Sequence, residues 1–188
     1  APRLLDGLIQ VRSALMDWHA ASTPILAVAT GWELLSTQVE IQPNEPFAGI
    51  GLFPGRAVPT SSPRTGQLVV ETAFGSMVGY EYHSRDYISA AGELTLGRVV
   101  AGQGNGGDSG NEGSRIGNTF GTHLRGPVLA RNPAFADALL TLAAGIRAPC
   151  SPAESRDGQS SSAASDSLRS QAADALAATV NRRIRSSL

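Results

Sequence analysis

The chain has 188 residues, 41% of them apolar, and a formal net charge of −1. That length suffices for one domain around one core, and fifteen basic residues balanced by sixteen acidic ones form no stripe of the kind that binds nucleic acid. No run approaches the roughly 18 consecutive apolar residues that a membrane span needs, and no segment has the character of a signal peptide.

Leu4 to Trp18 carries Leu4, Leu5, Leu8, Ile9, Val11, Leu15 and Trp18 at spacings of mostly three and four, which predicts one amphipathic helix. Pro24 ends any helix and opens the short apolar run Ile25–Ala29, whose length and flanking Pro and Gly fit a buried parallel strand. Gly31 permits a sharp turn, and Trp32–Ser36 starts the next helix. Further on, 67–72, 76–83 and 96–101 read as short strands, with Phe74-Gly75-Ser76 joining the first two as a hairpin. Residues 102–113 hold six glycines in twelve positions and read as a mobile surface loop; without a Gly-Lys-Ser/Thr ending they make no phosphate cradle. Another strand is expected near Ile116–Leu124. Asn132 then caps a helix with Pro133 at its first position and Phe135, Ala138, Leu139, Leu142 and Ala143 as its buried stripe.

Between Ser151 and Asp166 no residue is large and apolar, so 151–166 reads as a disordered linker that separates a domain at 1–150 from a C-terminal amphipathic helix at 167–188. The single cysteine, Cys150, excludes an internal disulfide and fits a cytoplasmic setting. His19, His83 and His123 share no ligand-like spacing, so neither a metal nor a cofactor is expected.

Four blocks, in order, carry a resemblance. Ile25-Leu26-Ala27-Val28-Ala29-Thr30-Gly31-Trp32-Glu33-Leu34-Leu35 resembles the Val-Leu-Ala-Ile-Cys-Gly-Gly-Tyr-Gln-Leu-Leu run of class I glutamine amidotransferases of the cobyric-acid-synthase-like group. Val78-Gly79-Tyr80-Glu81-Tyr82-His83 resembles the family's Val-Gly-Phe-Glu-Asn-His, and Asn105-Gly106-Gly107-Asp108 through Glu112-Gly113 its Asn-Gly-Glu-Asp…Glu-Gly loop. Gly121-Thr122-His123-Leu124-Arg125-Gly126-Pro127, continuing to Asn132-Pro133, is similar to Gly-Thr-Tyr-Leu-His-Gly-Pro. Within the group the chain looks most like the glutaminase subunits of lipid II isoglutaminyl synthases, which supply ammonia to a Mur-ligase-like partner for amidation of D-glutamate in peptidoglycan.

The resemblance implies an α/β, flavodoxin-like amidotransferase domain, here lacking the family's first strands. It also implies a thiolate attacking the glutamine amide with a histidine base. On this chain those two positions fall on Ala29, whose methyl is no nucleophile, and Arg125, whose guanidinium stays protonated near neutral pH. His123 lies two residues from Arg125, too far along a strand to replace the base directly. Arg64 falls where the family holds the glutamine carboxylate; read on its own it is a surface arginine ahead of a strand. Thr30 and Gly31 fall at the oxyanion N–H groups, and His83 lines the pocket or is structural. The resemblance implies a subunit that has lost its glutaminase chemistry and docks on a Mur-ligase-like synthetase, with glutamine as its possible ligand. An active enzyme whose nucleophile was replaced, a cobyrinate-type amidotransferase domain and a non-catalytic module for a small amide or carboxylate remain as alternatives.

Overall fold

The computed structural model describes residues 2–106 and 108–145, together with 174, 175, 178, 179, 181 and 182. It opens on two helices rather than one, α1 (Pro2–Gln10) and α2 (Arg12–Ala20). The break falls at Val11, which leaves helical geometry at φ −103 and ψ 8. It splits the expected stripe: Leu5, Leu8, Leu15 and Met16 pack on the core, whereas Ile9, Val11 and Trp18 are exposed.

Strand β1 (Ile25–Val28) follows, then α3 (Thr30–Leu35), which begins two residues earlier than the sequence suggests. The chain continues through β2 (Ser36–Glu40) and β3 (Pro46–Ala48) into the long β4 (Phe53–Thr72). The antiparallel β5 (Gly75–Ile88) returns along β4, with Thr72 opposite Gly75 across the hairpin. After β6 (Gly97–Ala101) come β7 (Asn111–Glu112), β8 (Ser114–Ile116) and β9 (Thr119–Thr122). The single strand expected near 116–124 is thus a β8–β9 hairpin. Helices α4 (Val128–Arg131) and α5 (Pro133–Ala143) close the domain.

Two sheets result. The smaller has the order β1-β9-β8, with β1 parallel to β9. The larger runs β3-β2-β4-β6-β7, with β5 also paired to β4. One core cluster joins Leu68, Met77, Phe120, Leu124 and Phe135 under α5, and a second joins Ala27, Trp32, Ile50, Phe53 and Tyr87 beneath α3.

Two local expectations are corrected. Asn132 precedes α5 as expected, but its side chain makes no cap. Its Oδ1 accepts the Val78 N–H at 2.8 Å and its Nδ2 donates to the Val78 carbonyl at 3.0 Å, so it clamps α5 to β5. The glycine-rich stretch is only partly a surface loop: 102, 103 and 108–110 are exposed, but Asn105 and Glu112 in it are buried and β7 lies inside it. Its polar backbone is satisfied internally, since Glu81 accepts the N–H groups of Gln103 and Gly104 and the Asn105 side chain pairs with both backbone groups of Gly113.

Cys150 and the proposed 151–166 linker lie outside the described residues, and the six described residues of 167–188 are helical. Among the described residues no helix is long and apolar enough to cross a membrane.

Because Asn132 satisfies both backbone groups of Val78 in a buried site, Asn132→Ala orphans two groups at once. It is expected to lower unfolding stability by about 2–4 kcal/mol, checked by urea denaturation.

Candidate functional site

The site is built at the turn between β1 and α3. Ala29 sits there at φ 51 and ψ −121, a left-handed backbone that an L-residue with a Cβ adopts only under strain. Backbone bonds hold it at both ends: the Ala29 N–H donates to the Thr122 carbonyl at 2.8 Å, and the Ala29 carbonyl accepts the Glu33 N–H at 3.0 Å. The sequence anticipated the strand, the turn and the helix, though it put the flexible residue at Gly31 rather than at Ala29. Thr30 and Gly31 open α3, and a side chain at Gly31 would meet open space.

Parallel pairing of Val28 with Thr122 carries the next residue, His123, alongside the turn. Trp32 supports this arrangement from below. It is fully buried against Tyr87, 4.2 Å between ring centroids, and against His123 at 4.7 Å. Its indole lies flat on Gly121, where any Cβ would stand 2.3 Å from Trp32 Cδ1 and Nε1. Glycine at 121 is therefore a steric requirement of the turn's support.

His83 and His123 stack face to face, ring centroids 3.7 Å apart and 6° from parallel, and both are buried. His83 Nδ1–H donates to the Arg85 carbonyl at 2.5 Å, and its Nε2 lies 3.4 Å from Glu81 Oε2. Burial works against charge on this ring, but the bonds to Glu81 and the Arg85 carbonyl, with the fields of Glu81 and Glu112, win and raise its pKa. His123 goes the other way. Burial, then the positive fields of His83 and Arg125, hold it well below the usual histidine range, and neither ring nitrogen has a protein partner. The stack thus pairs a ring whose hydrogen bonds favour the charged form with one whose surroundings favour the neutral form.

Three buried carboxylates surround this pair. Glu33 is bound by Arg85 Nη1 at 3.0 Å, yet burial outweighs that partner and raises its pKa. Glu81 holds His83 and the 103–104 backbone together. Glu112 Oε1 accepts Thr122 Oγ1–H at 2.6 Å and the His123 N–H at 2.7 Å, while Oε2 is unpartnered; burial pushes its pKa up to about 7. Among the described residues no group of three or more His, Cys, Asp or Glu has metal-holding geometry.

Of the residues singled out in the sequence, Ala29, Thr30, Gly31, His83 and His123 come together here. Arg125 lies at the edge: its backbone bridges Tyr80, its guanidinium stands 5.8 Å from the Tyr82 ring centroid, and its charge reaches both Glu33 and His123. Arg64 does not precede a strand; it lies within β4, directly opposite His83 and hence on the same sheet face. Its guanidinium is not free, because Nε and Nη2 grip Asp86 Oδ1 and Oδ2 at 3.1 and 3.0 Å. Asp86, Arg85 and the carboxylate of Glu112 were not foreseen as site groups. The available signal was the alternation in β5, where Tyr80 and Tyr82 point outward and Glu81 and His83 inward.

Two outcomes follow for stability. Ala29→Gly relieves the left-handed backbone, so it is expected to leave unfolding stability unchanged or raise it by up to about 1 kcal/mol, opposite to the loss of about 0.5–1 kcal/mol for this swap in an ordinary strand. Urea denaturation checks the sign. For Glu112, a folded pKa above the reference 4.5 means that the native state binds the extra proton. Its contribution is full below pH 4.5 and is lost as pH rises through about 7. The stability difference between the native chain and Glu112→Gln should therefore shift against the native chain across that window, measured by denaturation at a series of pH values.

Comparison with known proteins places this geometry. The family model for the CobB/CobQ-like glutamine amidotransferase domain matches residues 5–133. Over 134 residues the chain is 29% identical to the lipid II isoglutaminyl synthase (glutamine-hydrolyzing) subunit GatD of Staphylococcus aureus (strain N315), covering 71% of this chain and 54% of that protein. Over 143 residues it is 28% identical to the same subunit of Streptococcus pneumoniae (strain ATCC BAA-255 / R6), covering 74% and 55%. The chain thus spans about half the length of the curated relatives it matches. A solved structure described as a glutamine amidotransferase shares the fold, with a TM-score of 0.51 at 14% identity over 71% of this chain and 68% of that one. With the match running from α1 to the start of α5 and taking in the β1–α3 turn, this chain belongs to the CobB/CobQ-like glutamine amidotransferase domain family.

Proposed function

We propose that the chain is a glutamine amidotransferase-like subunit that no longer hydrolyses glutamine and serves a cytoplasmic Mur-ligase-like synthetase in peptidoglycan amidation. The observation that carries the reading is the turn at Ala29. A strained backbone of this kind holds a nucleophile above a helix start, and it is kept here under a methyl group. In this reading Ala29 occupies the nucleophile position and Arg125 the position of the base. Neither group can do that work, so the chain is a pseudoenzyme of a hydrolase family, and the ligase chemistry belongs to its partner.

The rest of the pocket keeps the chemistry of glutamine as a ligand. In this reading Arg64, now paired with Asp86, is the group that takes the glutamine α-carboxylate, a task suited to a planar two-pronged donor. The N–H groups of Thr30 and Gly31 face the amide carbonyl oxygen. His83 is held by Glu81 and stacks on neutral His123, which follows the Thr122 that binds the Ala29 N–H and has no thiol to act on. Support for the cell-wall role comes from the two GatD subunits, both parts of glutamine-hydrolyzing lipid II isoglutaminyl synthases.

Two experiments test this. At saturating glutamine, the double variant Ala29→Cys with Arg125→His is expected to release ammonia at least about a hundredfold faster than the native chain, the scale on which positioned acid–base groups act; no gain means that the site has been rebuilt rather than silenced. The native chain is also expected to co-purify with a co-expressed Mur-ligase-like synthetase, and failure to do so favours a stand-alone module for a small amide or carboxylate.

A further inference from the structure

The fork of Arg64 is already filled. Asp86 presents both carboxylate oxygens to Nε and Nη2 in the two-point geometry that a guanidinium offers any carboxylate. We propose that Asp86 is a built-in occupant of the carboxylate position, a competitor that weakens the native chain's binding of free glutamine without abolishing it. The proposal rests on the amidotransferase-like reading above and specifies how the pocket is regulated.

The occupant is held by its surroundings rather than by the ion pair alone. Arg64 is paired with His83 across the β4–β5 ladder, so the guanidinium belongs to the face that carries the histidine stack. Between Pro59 and Arg64 the register shifts, and this irregularity lets Asp86, paired with Val58, reach back to Arg64. From the other side the loop presses on the carboxylate. Gly106, at φ +77, lies so close that a Cβ there would stand 2.0 Å from Asp86 Oδ1. That loop is fixed by the Tyr87 N–H donating to the Asn105 carbonyl at 2.9 Å and by Glu81 accepting from Gln103 and Gly104. Asp86 is only 13% exposed, and Arg64 28%. A glutamine carboxylate has to displace a tethered competitor that needs no translational ordering, so it binds only at raised concentration.

The test is titration of the full chain with L-glutamine by isothermal calorimetry, with native, Asp86→Ala, Asp86→Asn and Asp86→Ala/Arg64→Ala proteins, each shown to be folded by circular dichroism. Asp86→Ala and Asp86→Asn are expected to bind glutamine at least about tenfold more tightly than the native chain, the scale of a charge-assisted hydrogen bond. Adding Arg64→Ala should abolish the gain. Asp86→Asn keeps the shape of the side chain, so the question is answered even where the alanine variant does not fold. Native binding as tight as that of the variants, no gain in either variant, or a gain that survives loss of Arg64 would each overturn the proposal. Failure of the broader reading registers separately, as ammonia release by the native chain or absence of the synthetase partner.

Discussion

Everything at this site depends on one short piece of parallel ladder. Pairing of β1 with β9 delivers Ala29 to the Thr122 carbonyl, and that single bond fixes where the chain must turn. The turn then sets the start of α3, which places Trp32 on Gly121 and Glu33 within reach of Arg85. The same register brings His123 level with the turn and onto His83. Slipping the pairing by one residue would exchange the faces of every side chain involved. The conformation at Ala29 is therefore over-determined by its neighbours, which is how a strained residue persists in a folded protein.

The second layer is electrostatic. Glu33, Glu81 and Glu112 are withdrawn from water beside His83, Arg85 and Arg125, an arrangement that apolar residues of similar volume would match or exceed in stability. Such a cluster makes sense as positioning. Glu81 holds the histidine and the glycine loop with the same two oxygens, so the stack and the Asp86–Arg64 pair cannot move independently. The neutral state of His123 comes first from its burial and then from the positive fields of His83 and Arg125.

The parts legible in the sequence are those whose signals are local. Pro24 and the apolar run Ile25–Ala29 sufficed for the strand, though the turn falls at Ala29 rather than Gly31, and Asn132-Pro133 with Phe135 and Leu139 sufficed for α5. The four blocks carried Ala29, His83, His123 and Arg125, whereas Arg64 lay outside them and read equally as a surface arginine. Long-range contacts were not legible. Glycine at 102, 104 and 106 signals backbone freedom, but here it allows close packing on Glu81, on Asn111 and Val99, and on Asp86 respectively, which sequence cannot distinguish from an exposed loop. Asn132 read as a cap because its neighbours fit one, whereas its partner Val78 lies 54 residues away. Arg64 and Asp86 are 22 residues apart and meet only through the β4–β5 irregularity. The break at Val11 and the strands β2 and β3 also escaped, since short polar strands such as Ser36–Glu40 lack the apolar alternation that marks a strand.

The central claim is that the domain keeps the scaffold of an amidotransferase without its chemistry. The most direct measurement is conversion of L-glutamine to glutamate and ammonia by the native chain, alone and with a co-purified synthetase. The account predicts no release above the buffer rate in either case. Sustained turnover by a chain with alanine at position 29 and arginine at position 125 would contradict it.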